Sequence, residues 1–420
     1  MSSNNSQTKN QIIKEATYYN IGNFIYLGAQ WIISVALVRM GGLEDAGYFS
    51  LAMSVCNMFA MIANYGLRAY QVSDIKEKYS DNDYVASRIL TVFAAFVMCL
   101  VYTVAFQKTA FKISLILLYM VYKCIEAYSD VLTAVFQKNG KMIYVGASLG
   151  AKGLLNLTLF IAFYLLTKNL VVSVAFMSAG SLVVLLGFDF IKLKPFYKQT
   201  EIFKNINVKK TAALLGEGFL LMLYVFSMTA FNSIPKLIIE KKESAESLGV
   251  FSSVAIPTVI ITTFAAGMLI PIVPKLSEYF DSKDNKRIFK TFGTCAAVII
   301  LIGALAAVFS ALVGRPIFKL LFGEVILPHF ILLYYMIISS VLIALNSIMS
   351  TFLTAVRKLK QEFLFSLMSC VLVLVLSLLL IDGYGIYGAA YAMIITLLIQ
   401  FVFETAYVVM VIQKNCKEKN

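Results

Sequence analysis

The chain has 420 residues, of which 60% are hydrophobic and 14% charged, and its mean hydropathy is +0.81. A soluble domain carries about 25% charged residues and places its apolar residues in short periodic stripes, so this composition excludes a soluble globular protein. The formal charge of +13 would point to nucleic acid in a soluble chain, but here cationic loops set orientation, and no nucleic-acid partner is expected.

Crossing the hydrocarbon layer takes roughly 20 apolar residues. In chain order, runs of that size fall at 18–40, 46–70, 87–107, 112–136, 142–167, 169–191, 211–235, 248–273, 289–313, 326–353, 362–381 and 384–412, which makes twelve. A polar stretch from Met1 to Lys14 precedes the first run. That run is too long for a signal-peptide core and lacks a small-residue cleavage site before Gly41 and Gly42, so it is expected to stay as the first span, with the N-terminus in the cytoplasm. The side that holds both termini carries 25 of the 36 Lys and Arg residues and the other side nine, with Lys123 and Lys152 inside spans. This bias fits an even number of spans and cytoplasmic termini. Few links exceed about 15 residues, leaving no room for an inserted soluble catalytic domain.

A weak internal repeat relates the halves. Asp45-Ala-Gly47-Tyr-Phe49-Ser50 at the start of span 2 matches Ser247-Leu-Gly249-Val-Phe251-Ser252 at the start of span 8, an offset of 202. The expected architecture is an all-α integral membrane protein, with twelve transmembrane helices in two pseudo-symmetric six-helix lobes around a central cavity. The N-terminal lobe is 1–191, the cytoplasmic linker 192–210 and the C-terminal lobe 211–420. All seven prolines lie at or after Pro195. Pro257 and Pro271 fall within span 8 and should kink it.

Charges at membrane depth are expensive, so they are functional candidates by default. Span 4 carries Lys123, Glu126 and Asp130, spaced three and four apart and hence on one helical face. Lys152 lies in span 5, and both it and Glu126 are ten residues from the inner ends of their spans, about 15 Å deep at helical rise. The two are expected to meet across an antiparallel helix pair. One reading makes the cluster part of a wet cavity that attracts an anionic headgroup or exchanges a proton. The other makes it a self-neutralising set that lets the helices insert, and neither reading is catalytic. Glu217 and Glu404 are further ion-coupling or ion-pair candidates, while Asp189 is placed at the interface. Arg39 and Arg68 end spans 1 and 2, where they either snorkel or face substrate. Tyr18 to Asn23 and Gln30 make one side of span 1 polar, either toward a cavity or for helix packing. The cysteines at 56, 99, 124, 295, 370 and 416 show no paired spacing and read as small hydrophobes. With His329 as the single histidine, no metal site, cofactor or catalytic residue is expected.

Gly41-Gly-Leu-Glu-Asp-Ala-Gly47-Tyr-Phe-Ser50, Asn64-Tyr-Gly-Leu-Arg68, Ile317-Phe-Lys-Leu-Leu-Phe-Gly323-Glu324 and Tyr384-Gly-Ile-Tyr-Gly-Ala-Ala-Tyr391 resemble the Wzx-type polysaccharide flippases. These belong to the multidrug/oligosaccharidyl-lipid/polysaccharide exporter superfamily, and the resemblance runs the length of the chain. It implies a bacterial cytoplasmic-membrane flippase that moves an undecaprenyl-pyrophosphate-linked oligosaccharide repeat unit from inner to outer leaflet. Transport would be by alternating access, coupled to an ion gradient, in surface or capsular polysaccharide biosynthesis. The partners it implies are that glycolipid, membrane lipids, and the polysaccharide polymerase and chain-length machinery. The family's cationic cavity is matched best by Lys123 and Lys152, although neither belongs to a family motif. Related lipid II flippases have two further spans. A cation-coupled multidrug exporter of the same fold is the first alternative; a membrane polymerase or ligase, which usually carries a large outer loop, is the second.

Overall fold

The computed structural model is all-helical and describes residues 2–74, 77–196 and 208–417. Residues 197–207, most of the expected linker, lie outside the described residues. The first helices are α1 (Ser2–Asn64), α2 (Leu67–Ser73), α3 (Asp81–Phe106), α4 (Ala110–Lys138), α5 (Met142–Thr167) and α6 (Leu170–Val184). A π-turn, Leu185–Asp189, leads from α6 into the short α7 (Phe190–Leu193). There follow α8 (Val208–Lys242), α9 (Ala245–Ala255), α10 (Val259–Leu269), α11 (Val273–Asp281), α12 (Asn285–Phe309), α13 (Arg315–Phe322), α14 (Leu332–Ala355) and α15 (Leu359–Lys417).

Among the described residues, nine helical segments are long and apolar enough to cross a membrane. The break points follow from local chemistry. Within α1, Gly42 takes φ 78° and ψ −176°, and within α15 Gly385 takes φ 58° and ψ −139°. Both conformations are open to glycine and strained for other residues. Ser80 and Asp83 form a capping box at the start of α3, satisfying donors that the first turn leaves open. Pro257 and Pro271 each sit in a 3₁₀ turn, Ile256–Thr258 and Ile270–Ile272, dividing α9 from α10 and α10 from α11.

The molecule contains two compact units, Met1–Gly41 with Ala52–Phe226, and Gly42–Leu51 with Ser227–Asn420. In the first, glycine brings α1 and α5 into backbone contact. A Cβ on Gly22 would lie 1.9 Å from the Gly146 carbonyl oxygen, and one on Gly153 would lie 2.7 Å from Tyr26 Cα. Small residues serve helix pairs in lipid this way, since close van der Waals packing replaces the missing hydrophobic drive.

In the second unit, α14 lies at the centre of an apolar stack that includes Leu276, Ile288, Phe292, Ile348, Phe352 and Val408. The repeated glycines and serines meet here as well. A Cβ on Gly47 would fall 1.7 Å from the Ala245 carbonyl oxygen and one on Gly249 would fall 1.9 Å from that of Leu43. The Ser50 and Ser252 hydroxyls are 2.5 Å apart. A shift of 202 residues carries Gly47 onto Gly249, Leu43 onto Ala245 and Ser50 onto Ser252, so the two copies of the motif make one self-complementary contact.

Candidate functional site

The first unit holds a cavity of about 390 Å³ whose walls include Tyr26, Arg68, Lys123, Glu126, Asp130 and Lys152. Three charged clusters surround it, and each is assembled by a distinct local feature.

The first cluster joins α1 to α4. Tyr26 lies on the part of α1 that the glycines of α5 admit, and its hydroxyl donates to Glu126 Oε1. The Tyr122 hydroxyl donates to the same oxygen at 2.6 Å, and Lys123 Nζ donates to Glu126 Oε2 at 2.9 Å. Gln30 Nε2 donates in turn to the Tyr122 hydroxyl at 2.8 Å. Tyr26 and Gln30 of span 1 are therefore partners of span 4.

A second cluster forms where α1 ends. Tyr65 and Gly66 both have positive φ, 54° and 68°, which stops the helix and starts α2 with Arg68 as its second residue. Arg68 Nη1 bonds Asp130 Oδ1, and Arg68 Nη2 donates to Gln137 Oε1 at 3.0 Å. Arg88, on α3, is 1% exposed. It donates to the Ala63 carbonyl oxygen at 2.9 Å, satisfying an acceptor left open by the helix end, and pairs with Asp130 Oδ2 at 3.2 Å. One carboxylate thus holds two guanidinium groups.

The third cluster is fully enclosed. Lys152 Nζ lies 2.9 Å from Asp189 Oδ2, and Ser129 donates to the same oxygen at 2.5 Å while accepting from Lys152. Asp189 closes the π-turn, an element that often marks functional positions. It is 0% exposed, its carboxylate turned onto Ser129 of α4 and Lys152 of α5. The expected meeting of Glu126 with Lys152 does not occur, because each has a nearer partner, Lys123 on its own helix and Asp189 on the π-turn.

Four cations, Arg68, Arg88, Lys123 and Lys152, face three carboxylates, Glu126, Asp130 and Asp189, leaving the cluster one positive charge in excess. Relative side-chain exposure ranks what a ligand would meet: 29% for Arg68, 17% for Lys123 and 4% for Lys152.

The other candidates lie elsewhere. Arg39 is exposed on α1, three residues before Gly42. Glu217, on α8, accepts from Lys78 Nζ at 2.5 Å and the Tyr79 hydroxyl at 2.9 Å, and this contact holds the Lys78 ammonium above its usual range. Glu404, on α15 of the second unit, is 1% exposed and accepts from Gln400 Nε2 at 3.1 Å. Sequence reasoning misses Arg88, because the apolar run that marks span 3 begins at 87. The capping pair Ser80 and Asp83 starts the helix earlier and puts Arg88 two turns inside it. Among the described residues, no group of three or more His, Cys, Asp or Glu could hold a metal ion.

Residues 12–280 match the family model described as polysaccharide biosynthesis protein. The chain is 26% identical over 406 residues to the capsular polysaccharide biosynthesis protein CapF of Staphylococcus aureus, covering 94% of this chain and 98% of that one. Solved structures with a similar fold include the lipid II flippase MurJ in an inward closed conformation, with TM-score 0.72, 14% identity and coverage of 94% and 89%. An inward-facing MATE-family multidrug transporter of the MOP superfamily matches with TM-score 0.67, 14% identity and coverage of 94% and 95%. A point mutant of the Vibrio cholerae MATE transporter VcmN matches with TM-score 0.62, 13% identity and coverage of 100% and 99%.

Proposed function

The chain belongs to the polysaccharide biosynthesis protein family, and from that premise we propose that it is a flippase. Its cargo would be an undecaprenyl-pyrophosphate-linked oligosaccharide repeat unit, carried from the inner to the outer leaflet of a bacterial cytoplasmic membrane for capsule or other surface polysaccharide. The single observation that carries this reading is the cationic excess of the 390 Å³ cavity. A glycolipid headgroup loses water from phosphates and hydroxyls on entering hydrocarbon, at a cost of several kcal/mol per unpaired polar group. A wet cationic chamber removes that cost.

In this mechanism Arg68 and Lys123 bind the diphosphate, and Lys152 adds positive potential from the wall. Arg39 meets the headgroup on its way through the outer end of span 1. Movement is by alternating access of two six-helix lobes, 1–191 and 211–420, with both termini cytoplasmic. The proposed count of twelve spans draws on the nine apolar segments, the turns at Gly42 and Gly385 that divide two of them, and the 29-residue α4. Ion coupling is assigned to the carboxylates Glu126, Asp130, Glu217 and Glu404. Each acid in the cavity is already matched by a cation, which disfavours a cationic drug as cargo.

Deletion of the gene followed by analysis of lipid-linked sugars tests the reading. A complete repeat unit should accumulate on the inner leaflet. Accumulation on the outer leaflet would instead indicate a polymerase, and unchanged intermediates with new drug sensitivity an exporter. Neutralising Lys123 and Lys152 together should slow export while the protein still inserts; unimpaired surface polysaccharide in that double mutant would remove this site assignment.

A further inference from the structure

In the second unit a further cation lies within a spanning helix. By sequence Lys236 counts among the outer loop charges, but α8 continues through it to Lys242, which places it about 9 Å from the end of the helix at 1.5 Å per residue. It is half-buried, and among the described residues its ammonium has no carboxylate within ion-pair reach and no hydrogen bond.

The usual escape for a lysine near a membrane surface is to stretch its stem toward the headgroups. Helix geometry works against that here. Cα–Cβ bonds tilt toward the N-terminus of their helix, and Lys236 is near a C-terminus, so its side chain leaves the backbone leaning toward the membrane interior. Lys241 and Lys242 already occupy the helix end. One turn before Lys236, Asn232 is exposed although it sits ten residues inside the helix, about 15 Å; its Nδ2 donates to the Met228 carbonyl oxygen at 3.1 Å. An exposed amide at that depth signals a face that meets water rather than lipid. An unmatched ammonium on a wet face inside the membrane is an incomplete ion pair, and its missing half is an anion.

We propose that the Asn232–Lys236 face of α8 is an oxyanion-binding site that takes a phosphate or carboxylate group. Lys236 supplies the charge, and the Asn232 amide lies one turn away on the same face. The site deepens the flippase reading and rests on it only for the choice of ligand: the oxyanion belongs either to the lipid diphosphate or to an acidic sugar of the glycan.

The test uses the full-length protein in proteoliposomes with Asn232→Cys as a reporter; unmodified protein, whose Cys56, Cys99, Cys295 and Cys370 are buried, gives the baseline. An anionic methanethiosulfonate should react faster than a cationic one by about fivefold or more, as one unit charge a few ångströms away in a hydrated site produces. Lys236→Ala added to the reporter should abolish that preference, and Lys236→Arg should keep it. Undecaprenyl diphosphate without sugar, or a glucuronate-containing oligosaccharide, should slow the reaction; protection by the first assigns the oxyanion to the lipid, and by the second to the glycan. A reporter that reacts with neither reagent, shows no charge preference, or is protected by neither ligand overturns the proposal. Should Asn232→Cys fail to insert, Met228→Cys, one turn deeper on the same face, gives the same readings. Charge preference together with unchanged lipid-linked sugars on gene deletion would keep the site and remove the flippase reading.

Discussion

The cavity of the first unit and the apolar stack of the second put the same helical material to different uses. In the first, charged side chains enter the membrane and are matched against one another, with Asp130 holding two arginines and Asp189 closing on Lys152. In the second, α14 packs through Ile348, Phe352 and Leu353, and the exceptional residues Lys236 and Glu404 carry no comparable set of partners. The difference separates two origins of stability. Removing a charge from the first unit's clusters strands its partner, whereas trimming the α14 stack removes only packing.

The largest effect should come from the contact on which the first unit's geometry depends. A Cβ on Gly146 would lie 2.4 Å from the Tyr18 carbonyl oxygen, so backbone must move before any side chain fits. Gly146→Leu is expected to abolish folded protein, seen as loss of the monodisperse peak on size-exclusion chromatography. A normal peak would show that α1 and α5 need no close approach and that the placement of Tyr26 depends on something else.

Next in size is the enclosed ion pair. Lys152→Met leaves the Asp189 carboxylate buried and unpaired, a change that typically costs about 3–5 kcal/mol. Lys152→Met with Asp189→Leu should recover most of that stability, because a buried pair replaced by apolar residues is often close to neutral. The export assay then separates the roles: recovery of stability without export would mean that the Lys152 charge serves the substrate, and recovery of both would make the pair a tether. A single mutant as stable as the parent in thermal unfolding would contradict the burial of Asp189.

The apolar stack should respond more mildly. Ile348 is 1% exposed, and Ile348→Val is expected to cost about 0.5–1.5 kcal/mol without changing export per folded molecule. A loss of export at unchanged stability would mean that α14 does more than pack.

How much of this is legible in the residues alone depends on whether period or boundary carries the information. The apolar runs mark the spans, and the spacing of Lys123, Glu126 and Asp130 gives their common face, because both follow from helical period alone. Asp189 escapes that reasoning because a π-turn inserts one residue and rotates everything after it. Arg88 escapes it because a capping box extends α3 ahead of its apolar run, and Lys236 because α8 continues past the last apolar stretch. Partner choice is the remaining gap: helical depth puts Glu126 and Lys152 level with each other, but a nearer cation on the same helix and a nearer carboxylate on the π-turn take precedence.

The smallest expected effect lies outside the membrane, in the turn between α2 and α3. Asp74 accepts from the backbone N–H groups of Lys78 and Tyr79 at 3.0 and 2.9 Å. Partial burial pushes its carboxyl up, but these two N–H groups outweigh that and hold it below the usual carboxylate range. A depressed folded value means that the unfolded chain takes up a proton first as pH falls. The stabilisation from Asp74 is therefore complete above the ordinary carboxylate value near about 3.9, and is lost as pH drops through the folded value. Asp74→Asn should cost well under about 1 kcal/mol at neutral pH, since solvent screens a group that is only partly buried. Thermal unfolding curves of parent and variant should converge only in strong acid. Convergence at about pH 5 or above, more than a unit over the ordinary carboxylate value, would show that the carboxylate is not held by the turn that leads into α3.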